Sequence, residues 1–127
     1  MNWAFVVAGC IAVLASIIHG VVGDRIVRRI DADAIGGRVK FLLRVTWHFT
    51  TIAFVVLGIA LLWAGVKPGS TAARGVAYTA GALFSCWSVL ALISGFMRGG
   101  ARGWVAHPAP LMLSSAAALI WWGATWL

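Results

Sequence analysis

Residues 16–51 read SIIHGVVGDRIVRRIDADAIGGRVKFLLRVTWHFTT, and this stretch decides the fold. It runs from the tail of one apolar segment to the head of the next. It holds His19 and His48, all three acidic residues (Asp24, Asp31 and Asp33), and six of the ten basic ones. The sequence on either side is mostly hydrocarbon-compatible. Any chemistry should therefore sit where this charged connection meets the apolar spans.

The chain is 62% hydrophobic and 10% charged, with mean hydropathy +0.97. A soluble domain carries about 25% charged residues. So few charges cannot clothe a water-soluble surface, which points to one integral membrane domain over residues 1–127. The net charge is +7, and the basic residues cluster between apolar runs. That placement fits anionic lipid head groups; a nucleic-acid face needs a continuous basic stripe, so nucleic acid is not an expected partner. No Lys or Arg precedes the first apolar run, which exceeds the roughly 7–15 residues of a secretory h-region, so it reads as a span rather than a leader. Cys10 and Cys86 fall inside apolar segments without a CxxC pattern and read as small hydrophobes.

Four segments reach the ~20 residues that a bilayer core requires, at about 3–22, 41–65, 75–97 and 108–127. Gly23-Asp24, Lys67-Pro68-Gly69 and Arg98-Gly99-Gly100 end the first three. Pro108 and Pro110 are tolerated at the start of the fourth, where backbone N–H groups lack intrahelical partners. Backbone groups out of reach of water must pair internally, so these lengths predict helices. The expectation is an all-α, antiparallel four-transmembrane-helix bundle, and a faint repeat (Arg44…His48…Trp63 against Arg102…His107…Trp122) suggests two hairpin units.

Lys and Arg set the orientation. Arg25, Arg28, Arg29, Arg38, Lys40 and Arg44 flank the first connection, Arg98 and Arg102 the third, and only Lys67 and Arg74 the second. This places the first and third connections in the cytoplasm and both termini in the periplasm of a bacterial inner membrane. Trp3, Trp63, Trp121, Trp122 and Trp126 then form an outer belt, with Trp47 and Trp104 at the inner interface. Ile26, Val27 and Ile30 leave two options for the first connection, a surface helix extending to Gly36-Gly37 or a solvated basic loop. Ala8, Ala12, Ser16 and Gly20 form a small-residue stripe, as do Ala77, Gly81 and Ser85, for close helix contact in a bundle or a dimer.

The three histidines are the constellation with chemical potential. His19 lies about a turn before the inner end of the first helix, His48 a turn after Arg44, and His107 opens the fourth. At ~1.5 Å per residue they share one depth in the cytoplasmic leaflet. Imidazole ligates Zn, Cu, Fe and Ni, and a histidine pair can hold haem iron. A metal set would comprise His19, His48, His107 and Asp24. Arg44 and Thr51 share His48's face, where Arg44 would pair with a propionate or other anion and Thr51 would orient the ring. The bland alternative is histidine as interhelical glue. No Asp or Glu lies within a span, against carboxylate proton relays and di-iron sites. No phosphate loop or nucleophile elbow is present, so no catalytic motif marks an enzyme.

Two strings, His19-Gly20-x-x-Gly23-Asp24-Arg25 and Arg44-x-x-Trp47-His48-x-Thr50-Thr51, resemble those of a group of small, uncharacterised bacterial four-helix membrane proteins. In that group a basic residue and a histidine also open the last helix, matched here by Arg102 and His107, and Glu is more usual where this chain has Asp24. The resemblance implies a fold and the same three histidines, and no activity. Three function classes stay open: a histidine-ligated transition-metal or haem protein, a non-catalytic accessory or assembly subunit of a larger membrane complex or homo-oligomer, and a small anion or proton transporter.

Overall fold

The computed structural model describes residues 1–100, 102 and 109–127. Among these the chain is all-helical: α1 (Trp3–Arg29), α2 (Ala32–Ile35), α3 (Gly37–Val66), α4 (Thr71–Gly99) and α5 (Ala109–Ala124). Three helices, α1, α3 and α4, are long and apolar enough to cross a membrane. The fourth expected span is represented by α5, which has 16 residues. At ~1.5 Å per residue these rise about 24 Å, short of a ~30 Å hydrocarbon core.

The helices end at Lys67 and Gly100 as expected, and differ from expectation around the first connection. The first helix passes Gly23-Asp24 and continues through Arg29, because Asp24 and Arg28 pair one turn apart along it. A single turn, α2, follows; Asp31 starts it by accepting from the Asp33 N–H at 3.0 Å. The second long helix starts at Gly37 rather than at 41. Gly36, at φ +80°, makes the bend before it, a conformation open chiefly to glycine. Gly100, at φ +58°, ends α4, its N–H returning to Phe96 O at 2.8 Å. Asn2 and Ser70 cap α1 and α4 through side-chain oxygens that accept from Phe5 N and Ala73 N.

Helix α1 packs along α3 and against α5, and α4 packs along α5 and against α3. The start of α1 meets the end of α3, where Asn2 N donates to Gly65 O at 2.7 Å. Asn2 Nδ2 also reaches Gly123 O at 2.8 Å, tying in α5. The first small-residue stripe lies in this seam: Ala8, Ala12 and Ser16 are buried, and Gly20 abuts Thr51. At the tightest crossing a Cβ on Gly9 would lie 2.8 Å from Gly58 O, so the two backbones touch. The second stripe faces α5, with Ala77 buried, Gly81 against Trp121, and Ser85 Oγ accepting from Trp121 Nε1 at 3.0 Å. Both stripes are thus seams within the chain.

Phe5, Leu61, Phe84 and Ile120 are the largest fully buried apolar side chains. Phe54, Phe84 and Trp87 pack as an aromatic knot between α3 and α4. Cys10 and Cys86 are free and exposed on the helix exteriors rather than buried as small core hydrophobes.

Candidate functional site

Helical periodicity builds the site. Arg44, Trp47, His48 and Thr51 lie at i, i+3, i+4 and i+7, one face of α3. His19, Gly20, Gly23, Asp24 and Val27 make the matching face of α1. Pairing follows in order along the seam: Thr51 against His19 and Gly20, Trp47 against His19 and Gly23, then Arg44 and His48 against Asp24. Lys40 closes the row, its Nζ donating to Arg28 O at 3.2 Å and Ile30 O at 2.6 Å. Those carbonyls lie in the last turn and C-cap of α1, where a cation also meets the negative end of the helix dipole.

His19 is held on three sides. Its ring stacks on the Trp47 indole at 4.1 Å between centroids and 7° between planes. Phe54 meets it edge-on at 5.8 Å. Its Nδ1 lies 3.0 Å from Thr51 Oγ1, and that hydroxyl donates to Trp47 O at 3.1 Å. When the hydroxyl proton is on Trp47 O, Thr51 accepts from His19 Nδ1–H and the ring lone pair is on Nε2; when it is on Nδ1, the ring proton sits on Nε2. Trp47 Nε1 donates to His19 O at 2.7 Å. The indole fits because residue 23 is glycine: a Cβ there would fall inside the ring.

Asp24 gathers the charges. Its Oδ2 accepts from Arg28 Nε at 2.6 Å, and its Oδ1 lies 3.2 Å from Arg44 Nε and 3.6 Å from His48 Nε2. One carboxylate thus joins two guanidinium groups and an imidazole across the two helices. Arg44 and His48 remain about half exposed.

Of the anticipated site residues, the structure brings His19, Asp24, Arg44, His48 and Thr51 together, while His107 lies outside the described residues, as does Trp104. Several roles differ from expectation. Asp24 lies within α1, not in a loop, and serves as an ion-pair partner. Arg44 is paired with that aspartate. Thr51 orients His19 rather than His48, because the α1–α3 contact brings His19 to the hydroxyl. Trp47 is half-buried between the helices. Among the described residues, no three or more His, Cys, Asp or Glu side chains are placed to hold a metal ion. Sequence reasoning missed the coupling of Gly23 to Trp47 and the capping by Lys40. The first had a signal, since both residues belong to the two noted strings.

At the opposite end, Asn2, Trp3, Pro68, Trp122 and Trp126 surround a shallow pocket. This gathers three of the five tryptophans of the expected outer belt.

Compared with known proteins, the chain matches no family model, no curated protein and no solved structure.

Proposed function

We propose that the chain is a small polytopic protein of a bacterial inner membrane, an antiparallel bundle of four spans with both termini periplasmic, that acts as a non-catalytic accessory or assembly subunit. Three long apolar helices support the membrane reading. The observation that carries the accessory role is how the polar cluster is used. Its indole, hydroxyl, carboxylate and lysine groups all bind across from one helix to the other. Such a cluster fixes the geometry of an α1–α3 hairpin and sets a rigid basic end at one membrane face.

A second reading has one observation in its favour. His19 Nδ1 is anchored on Thr51 Oγ1 at 3.0 Å, and in the tautomer protonated at Nδ1 the lone pair of Nε2 is left to ligate a metal or haem iron. Purification in mild detergent, with an absorption spectrum, elemental analysis and identification of co-purifying proteins, separates the two. The accessory role predicts a colourless protein, metal well below one per chain, and a reproducible membrane partner. A Soret band or stoichiometric metal lost in His19→Ala refutes it in favour of the second reading.

A further inference from the structure

On the outward side of α3, beside the cluster, lies a groove of about 500 Å³ lined by Phe41, Arg44, Val45, His48, Phe49 and Ile52. The four apolar members are exposed, Phe49 by 73% and Phe41 by 65%. Their spacing, i, i+4, i+8 and i+11, draws one apolar track along the helix. Arg44 and His48 are set beside it. We propose that this groove seats one anionic phospholipid, its phosphate on Arg44 and His48 and the upper part of an acyl chain along Val45, Phe49 and Ile52.

Charge and shape both select that occupant. Arg44 spends Nε on Asp24, and its terminal nitrogens make no hydrogen bond among the described residues. A planar guanidinium held by one edge presents the other to a phosphodiester, the geometry that arginine binds in bidentate fashion. His48 lies one turn further along and adds a polar ring at the same level. Arg28 and Lys40 at this end supplement the positive field; Asp24 is already shared three ways, and Asp31 and Asp33 sit apart in α2, where Asp31 caps the helix start. From Arg44 to Ile52 the helix rises about 12 Å, enough to accompany the first part of an acyl chain. A zwitterionic lipid would bring its own cation against this field. Clusters of basic residues beside a membrane-spanning helix attract anionic head groups. The inference rests on the membrane reading and is independent of the accessory role.

The test is native mass spectrometry of the delipidated protein in detergent, titrated with phosphatidylglycerol or phosphatidylcholine of matched chains. One phosphatidylglycerol per chain should be retained at least fivefold over phosphatidylcholine. Arg44→Gln should weaken retention about tenfold. Phe49→Ala, which leaves the Asp24 cluster intact, should weaken it severalfold and guards against a folding artefact of the first variant. Lys67→Gln removes the same charge at the other end and should change nothing. Equal retention of both lipids, an Arg44→Gln protein like the wild type, a Lys67→Gln effect as large as that of Arg44→Gln, or displacement by millimolar inorganic phosphate would overturn the site. So would a lipid-free dimer closed over this face. Carbonate extraction of native membranes is run alongside: protein in the soluble fraction refutes the membrane reading and the site together, whereas loss of lipid selectivity in an embedded protein removes the site alone.

Discussion

Adding one methyl group to Gly23 should loosen the α1–α3 hairpin, and the loss should vanish when Trp47 is also removed. A Cβ at residue 23 would occupy the position of the indole, and the atoms it meets belong to a ring already fixed by a stack on His19 and a bond to His19 O. Relief requires the indole to swing out. Overpacking of this kind costs roughly 1–3 kcal/mol. The displaced indole also gives up its hydrogen bond, about 1 kcal/mol. Together these cost about 2–4 kcal/mol, and Ala is the better helix former by ~1 kcal/mol, so Gly23→Ala should destabilise by about 1–3 kcal/mol net. In a Trp47→Ala background the clash is gone, so the glycine substitution should become neutral or stabilising by up to about 1 kcal/mol. The coupling between the sites should then exceed about 2 kcal/mol, a value typical of residues in direct contact. Steric-trapping or reversible SDS unfolding in bicelles measures all four corners of this cycle. Additive effects within ~0.5 kcal/mol, or a Gly23→Ala protein as stable as the wild type, would refute the reasoning.

Thr51→Val keeps the shape of the side chain but removes the hydroxyl bonded to His19 Nδ1, so it should cost about 1 kcal/mol in the same unfolding assay, with Thr51→Ser retaining most of the stability. Asp24→Asn should lower the thermal midpoint most at low salt, with the difference shrinking as salt is added, because its partners Arg28, Arg44 and His48 are exposed to screening; a salt-independent difference would point to packing instead. Ser88 and Ser114 hydroxyls share a hydrogen bond of 2.5 Å between α4 and α5. Ser88→Ala or Ser114→Ala alone should cost about 1 kcal/mol, and the double variant little more than either single one, since no polar group is then left unpaired. With Cys10 and Cys86 replaced, a cysteine at Gly69, where a side chain meets open space, should react with an impermeant maleimide only from the periplasmic side; labelling from the cytoplasm would invert the topology.

The sequence was most legible where one physical constraint dominated. Uninterrupted apolar runs located α1, α3 and α4 because spanning length is set by the bilayer, and the small-residue stripes named the buried seams because close helix packing admits little else. The polar site was half legible. Helical spacing put Arg44, His48 and Thr51 on one face, and depth put His19 opposite. The partners within that face depend on how far α1 and α3 are staggered, which no single-helix pattern encodes. Hence the spacing assigns Thr51 to His48, whereas the stagger brings it to His19, and nothing in either helix alone announces that the Trp47 indole fills the space left at Gly23. Helix ends were legible at Lys67 and Gly99-Gly100, but not at Gly23-Asp24, where Asp24 with Arg28 stabilises a further turn and the helix runs on towards Gly36 as in the surface-helix option.

The position of Lys40 bears on how the protein is made. Every partner in the α1–α3 seam, from Asn2 with Gly65 to Lys40 with the end of α1, lies within the first 66 residues. A ribosome delivering the chain from its N-terminus thus finishes this hairpin, latch included, before α4 has emerged. The hairpin can leave the insertion machinery as a closed unit with its polar groups already satisfied. The packing of α1 on α5, with the bond from Asn2 to Gly123 and the seat of Phe5 against that glycine, and the packing of Phe54 on Phe84 and Trp87 wait for the later helices to arrive.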